Sequence, residues 1–201
     1  MERTAVRRVV GLLALGALIA VVAPKISAAD DILWHIKAIH PEGRILDVKA
    51  LDKAGKVYNV KAIEEAGNLH VMDIKAFVGD KKLPVKILVS EDKYAPVKAI
   101  AEDGTIFDIK ALTPSGDKLD VKGVSRSGSI FHIKAIGPNG EFYGVKAISP
   151  TGMVHDVKGV KMSVDRVEAK VNGVQVAAHV KALPQVVVAR PADQALKPAQ
   201  R

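Results

Sequence analysis

Cysteine is absent from this 201-residue chain, so no disulfide, thiolate metal ligand or cysteine-linked lipid takes part in its structure. Aromatic residues are scarce at 4%. Trp34, Tyr58, Tyr94 and Tyr143 are too few and too scattered in sequence for a sugar-stacking platform. Long apolar runs are missing too. The run from Val9 to Val22 has 14 residues, short of the roughly 20 a spanning helix needs. There is no phosphate-cradling glycine loop, no nucleophile elbow and no paired zinc-ligand helix. These absences point away from an enzyme, and no cofactor or metal is expected.

The ends are distinct from the body. Arg3, Arg7 and Arg8, then the apolar run, then Ser27-Ala28-Ala29 read as an export signal over residues 1–29. Residues 189–201 are polar and proline-containing, the composition of a disordered tail. Residues 30–188 are expected to form one domain. The formal charge is +8. The leader contributes +3 (Arg3, Arg7, Arg8 and Lys25 against Glu2) and the tail +2 (Arg190, Lys197 and Arg201 against Asp193), which leaves +3 for the body. A nucleic-acid binder concentrates basic charge on its folded body, so nucleic acid is not the expected partner. Export makes the periplasm, cell surface or extracellular space the expected location.

What the chain has in abundance is one phrase: Val or Ile, Lys, Ala or Gly, then an aliphatic. The lysines fall at 37, 49, 61, 75, 86, 98, 110, 122, 134, 146 and 158, and eight of the ten steps are twelve residues. A fixed period marks repeat architecture. Between the phrases lie turn sequences such as Gly137-Pro-Asn-Gly140, Thr113-Pro-Ser-Gly116 and Ser125-Arg-Ser-Gly128. They suit a type I turn ending in a left-handed glycine, the three-residue hairpin loop. Each repeat is therefore one short strand and one turn. The chain reads as an all-β antiparallel meander of 11 to 13 strands, closed or strongly curled like an up-and-down barrel, with a sandwich or propeller as alternatives. A simple barrel would pair the strand at Trp34 with the strand near Leu183. Asn172-Gly173 predicts a two-residue hairpin.

The turn register puts Phe131, Ile133, Ala135, Tyr143, Val145 and Ala147 on one apolar face. The opposite face carries a polar middle row. In that row the register opposes Lys37 to Asp47, Lys98 to Asp108, Lys110 to Asp120 and Lys146 to Asp156. Continued along each hairpin, it also opposes Asp47 to Lys61, Asp108 to Lys122 and Asp120 to Lys134. The expected result is a structural charge ladder, since opposite charges across strands attract by roughly 0.2–1 kcal/mol per pair. A parallel solenoid would stack lysine on lysine, and the antiparallel register relieves that. His35, His132 and His179 occupy the slot that Asp fills elsewhere and should lie across from lysines such as Lys49 and Lys122.

The repeat breaks around Asn68-Leu69-His70, and Pro84 and Pro96 then replace Asp. Proline cannot donate to a ladder, so these strands are expected at edges, bulges or a corner. The functional expectation is an exported, non-enzymatic binding or structural module of the bacterial envelope, its partner a polyanion, a polysaccharide or an envelope protein. The alternatives are an outer-membrane or ligand-holding barrel, and a hydrolase with a site near residues 64–98.

Overall fold

The computed structural model describes residues 31–65, 67–161 and 169–185; the expected leader and tail lie outside them. The strands in chain order are β1 (Ile32–Ile39), β2 (Ile45–Leu51), β3 (Val57–Glu64), β4 (Met72–Val78), β5 (Lys81–Leu88), β6 (Ala95–Ile100) and β7 (Ile106–Leu112). They continue as β8 (Lys118–Ser127), β9 (Ile130–Ile136), β10 (Phe142–Ile148), β11 (Val154–Lys161), β12 (Ala169–Val171) and β13 (Val174–Pro184). All are antiparallel, and from β1 to β11 every strand pairs with the next. The protein is an all-β meander whose sheet closes on itself, though not evenly round one axis.

The turns follow the expected chemistry. At the turn after β9, the Gly137 amide donates to Glu141 O at 2.9 Å and the Gly140 amide to Gly137 O at 3.0 Å, with Gly140 at φ 81°. Asn172 (φ 50°) and Gly173 (φ 81°) make the two-residue hairpin between β12 and β13. One turn differs. Ser125-Arg-Ser-Gly128 is not a type I loop: β8 runs on to Ser127, pairs with Ile130 and reverses over Gly128-Ser129, with a register shift between Gly123 and Ser125.

Closure comes from strands that change partner halfway. Along one edge, β1 pairs with β2 through Lys37–Ile39 and with β3 through Ile32–His35. The C-terminal half of β2 pairs with the start of β3. Three strands thus close a triangle, a first corner. A second corner joins β4, β5 and β13. A third joins β6, β7 and β8, and a fourth β9, β10 and β11. Along its other edge each strand pairs with a strand of a different corner: β1 with β10, β2 with β7, β3 with β4, β5 with β6, β8 with β9, and β11 with β13. Every corner is joined once to every other, which is the connectivity of a tetrahedron. The strand at Trp34 does not meet the one near Leu183; β1 has β2, β3 and β10 as neighbours, and β13 reaches β11, β4 and β5 instead.

This connectivity explains the irregular stretch. The chain passes from the first corner to the second between β3 and β4, and from the second to the third between β5 and β6. The extra residues around Asn68 and the loop before Tyr94 span those passages. Pro84 and Pro96 are not in edge strands, since β5 and β6 are paired along both edges. Each lies next to the point where its strand changes neighbours, where the ladder is already interrupted.

The interior is filled by the residue before each lysine. Twelve such residues, one from each strand except β12, meet at the centre, among them Ile36, Val48, Ile109 and Val180, and leave a void of only about 10 Å³. The alanines that follow the lysines are mostly fully buried. At one of these places Ile87 replaces alanine. Gly159 and Gly123 make room for it: a Cβ on Gly159 would stand 2.3 Å from Ile87 Cδ1, and one on Gly123 3.3 Å.

Candidate functional site

Because alternate residues face inward, the lysine of each strand faces outward, and the three lysines of a corner come together. Lys37, Lys49 and Lys61 share the first corner, Lys75, Lys86 and Lys181 the second, Lys98, Lys110 and Lys122 the third, and Lys134, Lys146 and Lys158 the fourth. Their side chains are half-buried; those of Lys110 and Lys158 are each 22% exposed. The residue two places before each lysine points the same way and stands opposite the lysine of a neighbouring strand in its corner.

That slot decides the electrostatics. Asp47 accepts from Lys37, Asp108 from Lys98, Asp120 from Lys110, Asp156 from Lys146 and Asp73 from Lys181. Secondary contacts run from Lys49 to Asp47 (3.8 Å), Lys75 to Asp73 (3.4 Å), Lys122 to Asp120 (3.8 Å) and Lys158 to Asp156 (3.2 Å). The hydrogen bond from Lys37 holds the Asp47 carboxyl below the usual range. Burial works against ionisation of Asp73, Asp120 and Asp156, but their lysine hydrogen bonds and charges outweigh it, so these too are lowered.

Histidine does the same work as a neutral acceptor. Lys61 donates to His35 Nδ1 at 2.9 Å, Lys158 to His132 Nδ1 at 3.2 Å, and Lys86 to His179. Burial first, and the neighbouring lysines second, push all three histidines below their ordinary value. Burial also pushes Lys86 down to about 8, with Lys75 adding repulsion.

Three of the expected oppositions do not occur. Asp47 does not face Lys61, nor Asp108 Lys122, nor Asp120 Lys134. Likewise His35 and His132 meet Lys61 and Lys158 rather than Lys49 and Lys122. The hairpin register holds for only half of each strand, after which another strand takes over the edge. Across the six joins between corners, lysine stands opposite lysine: Lys37 and Lys146, Lys49 and Lys110, Lys61 and Lys75, Lys86 and Lys98, Lys122 and Lys134, Lys158 and Lys181. The antiparallel register therefore does not separate the lysines. All of them except Lys134 instead find an acceptor within their own corner. Lys181 and Asp73 were not part of the expected ladder, although Val180-Lys181-Ala182-Leu183 repeats the phrase. Their bond joins strands 108 residues apart, beyond any hairpin rule.

Two further features lie elsewhere. An open cleft of about 1020 Å³ is framed by the turns after β1, β7 and β9 and by the loop between β5 and β6, with Arg44, Lys93, Lys118, Asp117 and Glu141 on its walls. Tyr94 and Tyr143, far apart in sequence, both line it. Inside the cage, Trp34 Nε1 donates to the buried carboxylate of Glu64 at 2.8 Å, and the His155 ring lies 4.6 Å from the Trp34 ring. This polar cluster beside the β3–β4 passage went unread in the sequence because it faces inward.

The molecule defined by these features is a closed antiparallel β-cage, solid in the middle, with a charged group of three lysines at each corner. A family model matches residues 30–183, and the chain belongs to that family, described as a family of unknown function (DUF7486). No curated protein and no solved structure matches the chain.

Proposed function

We propose that this protein is an exported, non-enzymatic binding module of the bacterial envelope that engages its partner through its outer face. One observation carries the reading: the twelve central aliphatic side chains close the interior, while the repeat places its charged chemistry outward. A closed centre offers no lumen for a ligand. A lipid-facing barrel shows an apolar outer band, whereas here each of the twelve main strands presents a lysine outward. The basic, apolar and small-residue segments at residues 1–29 support export. Expression of the full chain with a carboxyl-terminal tag, followed by fractionation, tests this. Shortened protein in the soluble exported fraction is expected. Full-length protein in the cytosol, or recovery only from detergent-extracted outer membrane, overturns it.

A further inference from the structure

The fourth corner breaks the slot rule. Lys134 should meet an acceptor two places before Lys146, but that residue is Gly144. A Cβ built there would lie 3.7 Å from Lys134 Nζ and 3.7 Å from Lys146 Cε, in ordinary contact with nothing to displace. Among the described residues Lys134 has no carboxylate or other hydrogen-bond acceptor. The other slots without an acceptor hold proline, whose ring occupies the space, and Lys75 and Lys122 there reach Asp73 and Asp120 instead.

The charge count agrees with this without being unique: the first and second corners also hold three lysines and one carboxylate, Asp47 or Asp73, but there every lysine has an acceptor, Lys49 in Asn59, Lys61 in His35 and Lys86 in His179. Lys134, Lys146 and Lys158 converge with a single carboxylate, Asp156, shared by Lys146 and Lys158, and His132 is a neutral acceptor for Lys158. The corner carries +2. A carboxylate ligand would leave it at +1. A phosphate monoester carries close to −2 at neutral pH and offers several acceptor oxygens. Burial, then repulsion from Lys158 and Lys146, lowers the Lys134 ammonium from its ordinary value, so an arriving dianion relieves an existing strain.

We infer that the notch at Gly144, ringed by Lys134, Lys146 and Lys158, is a binding site for a phosphate monoester, with the ligand's oxygens standing where an aspartate carboxylate stands in the other corners. This deepens the binding-module reading by giving it a ligand class, and it concerns the folded chain whether or not that chain is exported.

The test is calorimetric titration of the purified protein at low ionic strength with inorganic phosphate, a hexose 6-phosphate and acetate, together with sedimentation on vesicles containing phosphatidic acid. One phosphate per chain is expected, with the sugar phosphate competing and acetate binding at least about tenfold more weakly. Gly144→Asp supplies the missing carboxylate, so it should abolish phosphate binding while unfolding at an unchanged or higher temperature. Lys134→Gln should weaken binding about tenfold. Lys110→Gln, in the third corner, should leave it intact. Vesicle binding that Gly144→Asp removes identifies a lipid headgroup as the source, and binding of the soluble phosphates alone identifies a free or sugar phosphate. Acetate binding as tightly as phosphate, four phosphates per chain, or phosphate binding that survives in folded Gly144→Asp would overturn the site. Failure of export with phosphate binding intact would overturn only the cellular reading.

Discussion

The third and fourth corners share one backbone plan and differ in what fills it. In the third, Asp108 and Asp120 hold Lys98 and Lys110, and Asp120 also reaches Lys122. In the fourth, Asp156 alone serves Lys146 and Lys158, His132 assists, and Lys134 faces Gly144. The first is a closed charge network and the second an open one. The scaffold therefore tolerates three convergent ammonium groups at any corner. The three slot residues, rather than the conspicuous lysines, decide whether every ammonium group in a corner has an acceptor.

The inner faces of the same two corners show the largest contrast. Gly159 in the fourth corner lies hard against Ile87, and Gly123 in the third only closely. Gly159→Ala should cost about 1–3 kcal/mol by overpacking, and Gly123→Ala about 1 kcal/mol or less. Adding Ile87→Ala to Gly159→Ala should make the pair more stable than the summed single effects. Denaturant midpoints give all four values, and equal costs at the two glycines would contradict the packing described.

A smaller effect separates the outer faces. Lys110→Asp removes the bond to Asp120 and adds a third carboxylate to the third corner, a loss of about 1–2 kcal/mol. Adding Asp120→Lys should restore most of it. Lys134→Asp in the fourth corner breaks no pair and should be neutral within about 0.5 kcal/mol, or stabilising. If both reversals cost the same, the corners do not differ as stated.

The smallest contrast depends on pH. The fourth corner contains His132 and the third contains no histidine. A histidine whose folded pKa is lowered binds its proton more readily when unfolded. Its contribution is present above its unfolded value of 6.5 and is lost as pH falls from there through its lower folded value. Unfolding midpoints between about pH 7.5 and 5 should therefore fall, and His35→Asn, His132→Asn and His179→Asn together should flatten the trend. Aspartates pairing with lysine act the same way but at lower pH, because their folded values lie below 3.8.

Local chemistry was readable from the sequence. Val-Lys-Ala alternation gave the strands and their inner face, the turn motifs gave most of the hairpins, and the hairpin register placed Lys37 with Asp47 and Lys146 with Asp156. The corners were not readable. A strand that changes partner halfway keeps the same two-residue alternation, so nothing in its own sequence records which strand takes over the edge. The same limit hid Lys181 and Asp73, which meet only when the last strand returns to β4. Gly144 was visible in the polar row, but its meaning depends on three strands converging there.

Strands of different corners pair lysine to lysine, and the absence of cysteine makes this pairing directly testable. Lys49 on β2 stands opposite Lys110 on β7, whereas in a simple meander β2 would touch only β1 and β3. Opposed residues lie within disulfide reach. The double variant Lys49→Cys with Lys110→Cys should form an intramolecular disulfide on mild oxidation and stay folded, while Lys49→Cys with Lys122→Cys should not. No crosslink at 49 and 110 in the folded protein, or equal crosslinking of both pairs, would contradict the four-cornered cage.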